Sequence, residues 1–412
     1  MKRIYALALV VILLLSPVCA AQAPTGTFSD QQKIVHINAV QMLVDLGLVT
    51  GCGDGSFQPD RIITREETAK LMALLCEPSP QTDAPVPFSD VSPSWSADYI
   101  AYCAQKDIIV GSGGKFRPKD GVTVRELAKM LLVILGGDAE KYVGSDWDYH
   151  VDADAYRLGL YKGYSGALDQ PAPRDDACLL IFNALQCCPV VHPEQEGVLR
   201  YALDELMNPL TFMELRFGLV RYTAVLRGNE YADLDAPGTA AEPGMTRLAG
   251  HNKLFRVSTA PSLLGRQVNI YLKDGNVVGV PCYTENELYY TFSSPEEMNG
   301  VLRASNGVLS EKTQYFLNFA PADASILELA ADGSGSTENR ITVIDHDGDM
   351  SFDVVLLTSC TPCTVVSLSP LAVRVNGGET EVAAFSSEEI FRVGQQALYC
   401  QIGGRGFLLG DE

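Results

Sequence analysis

Between residues 28 and 188 the chain writes the same unit three times: a short amphipathic helix, a Gly-rich loop, and a helix that opens on a Thr/Arg/acid cluster. Gly47-Leu-Val-Thr-Gly51 leads into Gly53-Asp-Gly-Ser-Phe-Gln-Pro59 and Ile63-Thr-Arg-Glu-Glu67. Ile108-Ile-Val-Gly111 leads into Gly113-Gly-Lys-Phe-Arg-Pro118 and Val122-Thr-Val-Arg-Glu126, and Gly159-Leu-Tyr-Lys-Gly163 leads to Pro173-Arg-Asp-Asp176. Phe57 and Phe116 stand 59 positions apart, as do Thr64 and Thr123, so the period does not arise from composition. A unit of this size cannot bury its apolar face alone, and a fixed period therefore marks stacked neighbours that share a core. The repeat also turns the functional question from catalysis to binding.

Each second helix carries its own start signal. Thr64 with Glu67, and Thr123 with Glu126, have the S/T-x-x-E spacing in which hydroxyl and carboxylate satisfy each other's backbone amides. Helically spaced apolar residues follow: Leu71, Met72 and Leu75, then Leu127, Met130, Leu131 and Ile134. In the third unit Pro173 replaces the cap, and Leu180, Ile181 and Leu185 continue the face. Shorter helices are expected near 34–46, 95–106 and 147–158.

With 412 residues the chain has room for two to four domains. Its formal charge of −20 argues against nucleic acid, which needs a Lys/Arg surplus. Residues 1–20 read as a secretory signal: Lys2-Arg3, an apolar run from Ala6 to Leu15, and small residues ending at Ala20. A lipid anchor on Cys19 is disfavoured by bulky Val18. No other apolar stretch reaches spanning length, so no membrane span is expected after signal cleavage. Ten cysteines lie beyond residue 20, without zinc spacing. Cys360-Thr-Pro-Cys363 has redox-motif spacing in a β-like run, which suits buried thiols or a local disulfide better than redox chemistry.

The Phe28-Ser-Asp30 and Phe88-Ser-Asp-Val91 openings, the Gly-Asp-Gly-Ser-Phe-x-Pro loop, the Ile-Thr-Arg-Glu-Glu cluster and Phe182-Asn-Ala-Leu185 resemble S-layer homology (SLH) domains. The resemblance divides the region into 28–76, 88–136 and a degenerate 146–188. It implies a mostly α-helical three-unit spindle on the surface of a Gram-positive-type bacterium. It further implies grooves that bind secondary cell-wall polysaccharide, often a pyruvylated amino sugar, and leaves self-assembly into an S-layer open. A ketal carboxylate needs a cation, and arginine holds one bidentately. Arg65 and Arg174 match the motif arginine; in unit two Val124 takes that place and the arginine shifts to Arg125. One position turns a helical side chain by about 100°, which puts that groove in doubt. Structural pairing of these arginines with Glu67, Asp90 or Asp176 is the competing account. Trp95 and Trp147, at matching positions before the first helices of units two and three, are packing residues or groove walls.

From Cys187-Cys-Pro-Val-Val-His-Pro193 onward the pattern changes. A short helix around 197–207 and then a β-rich region over 195–412 of one or two small domains are expected. Strand candidates are 212–226, 253–258, 268–272, 276–280 and 288–292, with a hairpin at Lys273-Asp-Gly-Asn276. Asp345, Asp347, Asp349 and Asp353 fall at positions 1, 3, 5 and 9 of a calcium-loop spacing. Met350 and Leu356 break the pattern, and the alternative is a hairpin turn between strands 340–344 and 352–358. No Gly-x-Ser-x-Gly or His-Glu-x-x-His motif is present. The reading is a multidomain α plus β, non-enzymatic, secreted cell-wall protein with a structural or adhesive C-terminal module. Its rival is a wall-anchored hydrolase with its site in 195–412.

Overall fold

The computed structural model describes residues 28–191, 200–205, 207–236, 241–284, 287–331, 338–368, 370–382, 384–385, 391–402 and 405–410. The signal segment and residues 197–199 lie outside them. The helical half holds α1 (Ile37–Asp45), α2 (Arg65–Cys76), α3 (Ala97–Gln105), α4 (Val124–Ile134), α5 (Trp147–Leu158) and α6 (Arg174–Gln186). Both predicted capping boxes are closed: Glu67 N–H and Glu126 N–H donate to Thr64 and Thr123, and each glutamate accepts from the cap amide.

The three units close into a ring through a triangle of backbone hydrogen bonds. Ile63 N–H donates to Ala172 O (3.0 Å), Ala172 N–H to Val122 O (2.8 Å), and Val122 N–H to Ile63 O (3.2 Å). All three residues are buried, so this triangle marks a pseudo-threefold axis inside the core. Around it, the first-turn amides of each second helix, which lack partners within their own helix, dock on the next unit's loop. Arg65 and Glu66 donate to Asp120 O and Pro118 O, Val124 and Arg125 to Gln170 O and Leu168 O, and Arg174 and Asp175 to Arg61 O and Pro59 O. Unit one thus sits on two, two on three, and three on one.

The Phe-x-Asp openings clamp the loops that receive these amides. Asp30 accepts from Phe57 N–H (2.7 Å) and Gln58 N–H (2.8 Å), and Asp90 from Phe116 N–H and Arg117 N–H (both 2.8 Å). Phe28 packs on Phe57 and Phe88 on Phe116 at 5.3 and 5.4 Å between ring centres. Glycine is required where these rings cross the chain: a Cβ on Gly51 or Gly111 would lie 2.8 or 2.5 Å from Phe28 or Phe88.

The remainder is mainly β: β1 (Val190–Val191), β2 (Arg200–Tyr201), α7 (Phe212–Phe217), β3 (Val220–Gly228), β4 (Thr246–Leu248), β5 (Leu254–Phe255), β6 (Gln267–Lys273), β7 (Asn276–Tyr283) and β8 (Leu288–Phe292). Then come α8 (Pro295–Ser305), β9 (Val308–Leu317), β10 (Ala320–Ala322), α9 (Ile326–Ala331), β11 (Glu338–Asp345) and the long β12 (Ser351–Leu368). The chain ends through β13 (Leu371–Val375), β14 (Gly378–Glu381), β15 (Ala384–Phe385), β16 (Gln396–Ile402) and β17 (Arg405–Gly410). A five-stranded sheet runs β5-β4-β3-β6-β7, and a ten-stranded sheet is organised around β12. The predicted hairpin at 273–276 joins β6 and β7, with Asp274 and Gly275 both at positive φ as a type I′ turn requires.

Three expectations need correction. Residues 212–217 form α7, not the start of a strand, because Thr211 and Glu214 close a third capping box and Gly218 ends the helix at φ 65°. The described residues within 197–207 carry the β2 strand and an isolated bridge from Leu203 to Pro209, not a helix. The strand expected over 352–358 is the 18-residue β12, since β11 pairs with it as far as Cys360 and β16 and β13 take over from Thr361 and Cys363.

The five-stranded sheet buries residues on both faces, which joins the halves. Val268, Ile270 and Leu272 of β6 pack toward the ten-stranded sheet, while Tyr271 joins the helical core. Asp45 accepts from Gly279 N–H (2.9 Å). Arg216 donates to Leu75 O (2.7 Å) and Leu74 O (3.3 Å), satisfying carbonyls at the end of α2.

Candidate functional site

Each second helix meets the next unit at a junction, and these three junctions are where the resemblance places its grooves. In the first, between units one and two, Arg65 lies across the Phe116 ring at 4.8 Å. Its Nε donates to Phe116 O (2.9 Å), one Nη to Val110 O (3.1 Å) and the other to Glu126 (3.2 Å). Only 5% of Arg65 remains exposed, so its guanidinium is spent on holding unit two. In the third groove, between units three and one, Arg174 repeats the arrangement, with Phe57 O at 3.0 Å, Thr50 O at 3.1 Å and the Phe57 ring at 4.8 Å. It is half-buried, and among the described residues no acid lies within ion-pair distance of it.

The pairings weighed from sequence are replaced by others. Glu67 is bound by Arg61 (2.8 and 3.1 Å), Asp90 by loop amides, and Asp176 by His36 (3.4 Å). Arg65 instead reaches across the ring to Glu126.

The second groove differs at both ends of the clamp. Val124 is buried where the motif arginine would be, and Gly166 stands eight positions before Arg174, the place of Phe57 and Phe116 relative to their motif positions. The arginine and the ring it would cover are missing together. Arg125 occupies the position that is Glu66 in unit one and Asp175 in unit three, and it pairs with Asp152 at 2.9 and 3.0 Å. Glu66 accepts from Ser96 Oγ (3.0 Å) and pairs with Lys119, while Asp175 accepts from Val35 N–H (2.7 Å) and His36 N–H. All three contact the first helix of the neighbouring unit or the residues that lead into it, so unit two keeps the contact and inverts its charge. Burial pushes the Asp175 carboxyl above its usual range, against the pull of the Val35 amide.

Two lysines that the sequence reading passed over complete the first two grooves. Lys70 lies over the Trp95 ring at 5.9 Å and Lys129 over Trp147 at 5.6 Å. They are 59 positions apart, each five after the motif-arginine position, so the period alone could have found them. Trp95 is 53% exposed and Trp147, the first residue of α5, is half-buried. Burial pulls the Lys129 ammonium below its usual range. Leu179 holds the lysine position in unit three, so the third groove lacks this platform.

In the β half, Asp345, Asp347 and Asp349 each offer an oxygen within 4.8 Å of the others. Asp345 is fully buried and accepts from the Asp347, Gly348 and Met350 amides at 3.1, 2.8 and 2.7 Å, stapling the β11–β12 turn. Asp353 lies apart from this group and pairs with His346 Nδ1 at 3.2 Å. His346 Nε2 donates to Gly265 O at 2.6 Å, so both ring nitrogens are engaged. Nearby opens a cavity of about 610 Å³ walled in part by His251, His346, Asp235, Asp353, Arg247 and Lys312. Hydrogen bonds from Arg227 and Arg247 hold the Asp235 carboxyl below its usual range.

The repeat and its ring closure define the class: the chain carries S-layer homology domains, which together with its S-layer relatives support a place at the cell surface. The S-layer homology domain model matches residues 27–69 and 87–128. Among relatives, the S-layer protein of Bacillus thuringiensis subsp. finitimus is 31% identical over 96 residues, 23% of this chain and 12% of that protein. The S-layer protein sap of Bacillus anthracis is 31% identical over 118 residues, 28% of this chain and 14% of its own. Exoglucanase XynX of Acetivibrio thermocellus is 28% identical over 178 residues, 39% of this chain and 16% of its own. The chain thus spans less than a fifth of the length of these relatives. Among the described residues no helix is long and apolar enough to cross a membrane.

Proposed function

We propose that residues 28–188 anchor the protein non-covalently to secondary cell-wall polysaccharide, and that the first two grooves do the binding. The observation that carries this reading is the repeated Lys–Trp pair. An exposed indole face gives a sugar ring an apolar platform, and an adjacent ammonium gives the pyruvyl carboxylate its counter-charge. Arg65 acts on the polymer indirectly, by fixing the loop that shapes the groove. Arg174, with a nitrogen to spare and no acid beside it among the described residues, makes the third groove a carboxylate site without a platform. Arg125, spent on Asp152, serves the fold.

Trp95 and Trp147 are the only tryptophans, so intrinsic fluorescence reads both grooves directly. Titrating the full chain with a pyruvylated amino-sugar fragment should shift the emission saturably, and Trp95→Phe should remove one component. An unpyruvylated fragment giving the same response would remove the role assigned to the lysines. For the β half we propose a structural or adhesive role. The side chains around the cavity beside His346 are spent on one another, Asp235 on Arg227 and Arg247 and His346 on Asp353 and Gly265 O, which supports this over hydrolysis. Calcium is the cation that the Asp345, Asp347 and Asp349 oxygens suit, with Asp353 outside the set. A chelator that leaves the melting temperature unchanged would remove it.

A further inference from the structure

Cys360 lies at a seam. It is the last residue of β12 paired with β11, opposite Glu338, and the next residue begins the pairing with β16, Thr361 opposite Tyr399. That antiparallel register, continued by one residue, sets Cys360 directly opposite Cys400. Facing residues of an antiparallel pair hold their Cα atoms roughly 4.5 to 5.5 Å apart, within the roughly 4.4 to 6.8 Å that a disulfide spans. Both thiols are sealed in one apolar cluster, 0% and 2% exposed, and they interact side chain to side chain.

Cys363, the motif partner weighed from sequence, is placed elsewhere. It belongs to a separate apolar cluster with Val365, Val373 and Leu408, and its thiol donates to Ala397 O at 3.2 Å. Three residues along a strand span about 10 Å and end on the opposite face, so a local Cys360–Cys363 bridge is excluded.

We propose that Cys360 and Cys400 are joined as a disulfide in the exported protein, stapling β16 to the centre of the ten-stranded sheet. In this structure the thiols are unlinked. Each loses its proton and one S–S bond forms. The two electrons and two protons pass to dioxygen, giving hydrogen peroxide, or to the disulfide of an extracytoplasmic thiol oxidase, giving its dithiol. Export supplies the oxidising compartment. Because both sulfurs are dry in the folded chain, the bond forms while β16 is docking, and the folded protein then shields it from reductant. The closed loop of about 40 residues removes entropy chiefly from the unfolded chain.

The test uses full-length protein collected from the cell surface, alkylated under denaturing conditions without reductant and cut after Arg and Lys. The expected product joins peptide 341–374 to peptide 393–405, about 2 Da lighter than the two thiol peptides together, with fragment ions placing the link on Cys360. Alkylated Cys360 and Cys400, or a link running from Cys363, would overturn the assignment. In a second measurement, wild type unfolded and refolded in reductant should melt roughly 10 °C below untreated wild type, while the same treatment leaves Cys400→Ser unmoved. Equal shifts in the two would also overturn it.

Discussion

The interface between units one and two and the interface between units two and three use the same backbone docking with opposite side-chain solutions. The first buries Arg65 against Phe116, two carbonyls and Glu126. The second has Val124 facing the place where Gly166 stands, and compensates with Arg125 on Asp152 one position along. The comparison teaches that the motif arginine is first a fastener between units, and that it is dispensable only when its ring partner goes too. The binding groups proposed above, the Lys–Trp pairs, are retained at both interfaces. Fastening and binding are therefore separable, and mutations should pull them apart.

The largest effect should come from Arg65→Ala. It leaves Glu126 without its partner, strips two carbonyls and opens a void over Phe116, so chemical denaturation should show a loss of about 3 to 4 kcal/mol. Arg174→Ala removes a half-buried clamp with no acid to orphan, and should cost less, about 1 to 2 kcal/mol. Equal losses would break the distinction drawn between those two grooves. Thr64→Ala and Thr123→Ala should each cost about 1 kcal/mol through the lost cap, and similar values in both would show that the units share their helix-start energetics.

Lys70→Ala should change stability by less than about 0.5 kcal/mol while weakening polymer binding, the inverse of Arg65→Ala. The smallest effect is the acid dependence. The Phe116 and Arg117 amides hold the Asp90 carboxyl below its usual range, and the Phe57 and Gln58 amides do so for Asp30 against partial burial. A depressed folded value means that the stabilisation is fully present above the unfolded pKa, about 4, and is lost as pH falls below it. Asp30→Asn and Asp90→Asn should flatten the stability profile below about pH 4, read by urea midpoints.

Much of the helical half was legible because its signals are local. Thr64 and Thr123 announced their helices, and the 59-residue period placed the loops. The ring closure was not legible, since the Ile63, Val122 and Ala172 triangle depends on backbone groups that any residue carries. Nor were the true arginine partners: Glu126 is 61 positions from Arg65, and proximity in sequence pointed to Glu67 instead. In the β half, Thr211-x-x-Glu214 carried the same capping signal as units one and two, yet the β-branched and aromatic residues after it suggested a strand. The cap won because Gly218 could end the helix after six residues in the left-handed conformation. Of the four aspartates aligned by calcium spacing, the turn gathers three, and Asp353 is drawn away by His346.

Anchoring by the Lys–Trp grooves is tested most directly by sedimentation of the full chain with purified cell walls, before and after chemical removal of the secondary polymer. The account predicts that wild type pellets only with the polymer present, and that Lys70→Ala/Lys129→Ala, folded by its circular dichroism and melting temperature, loses at least about tenfold in wall affinity, or about 1.4 kcal/mol. Unchanged pelleting by the double variant, or pelleting that survives removal of the polymer, would contradict it.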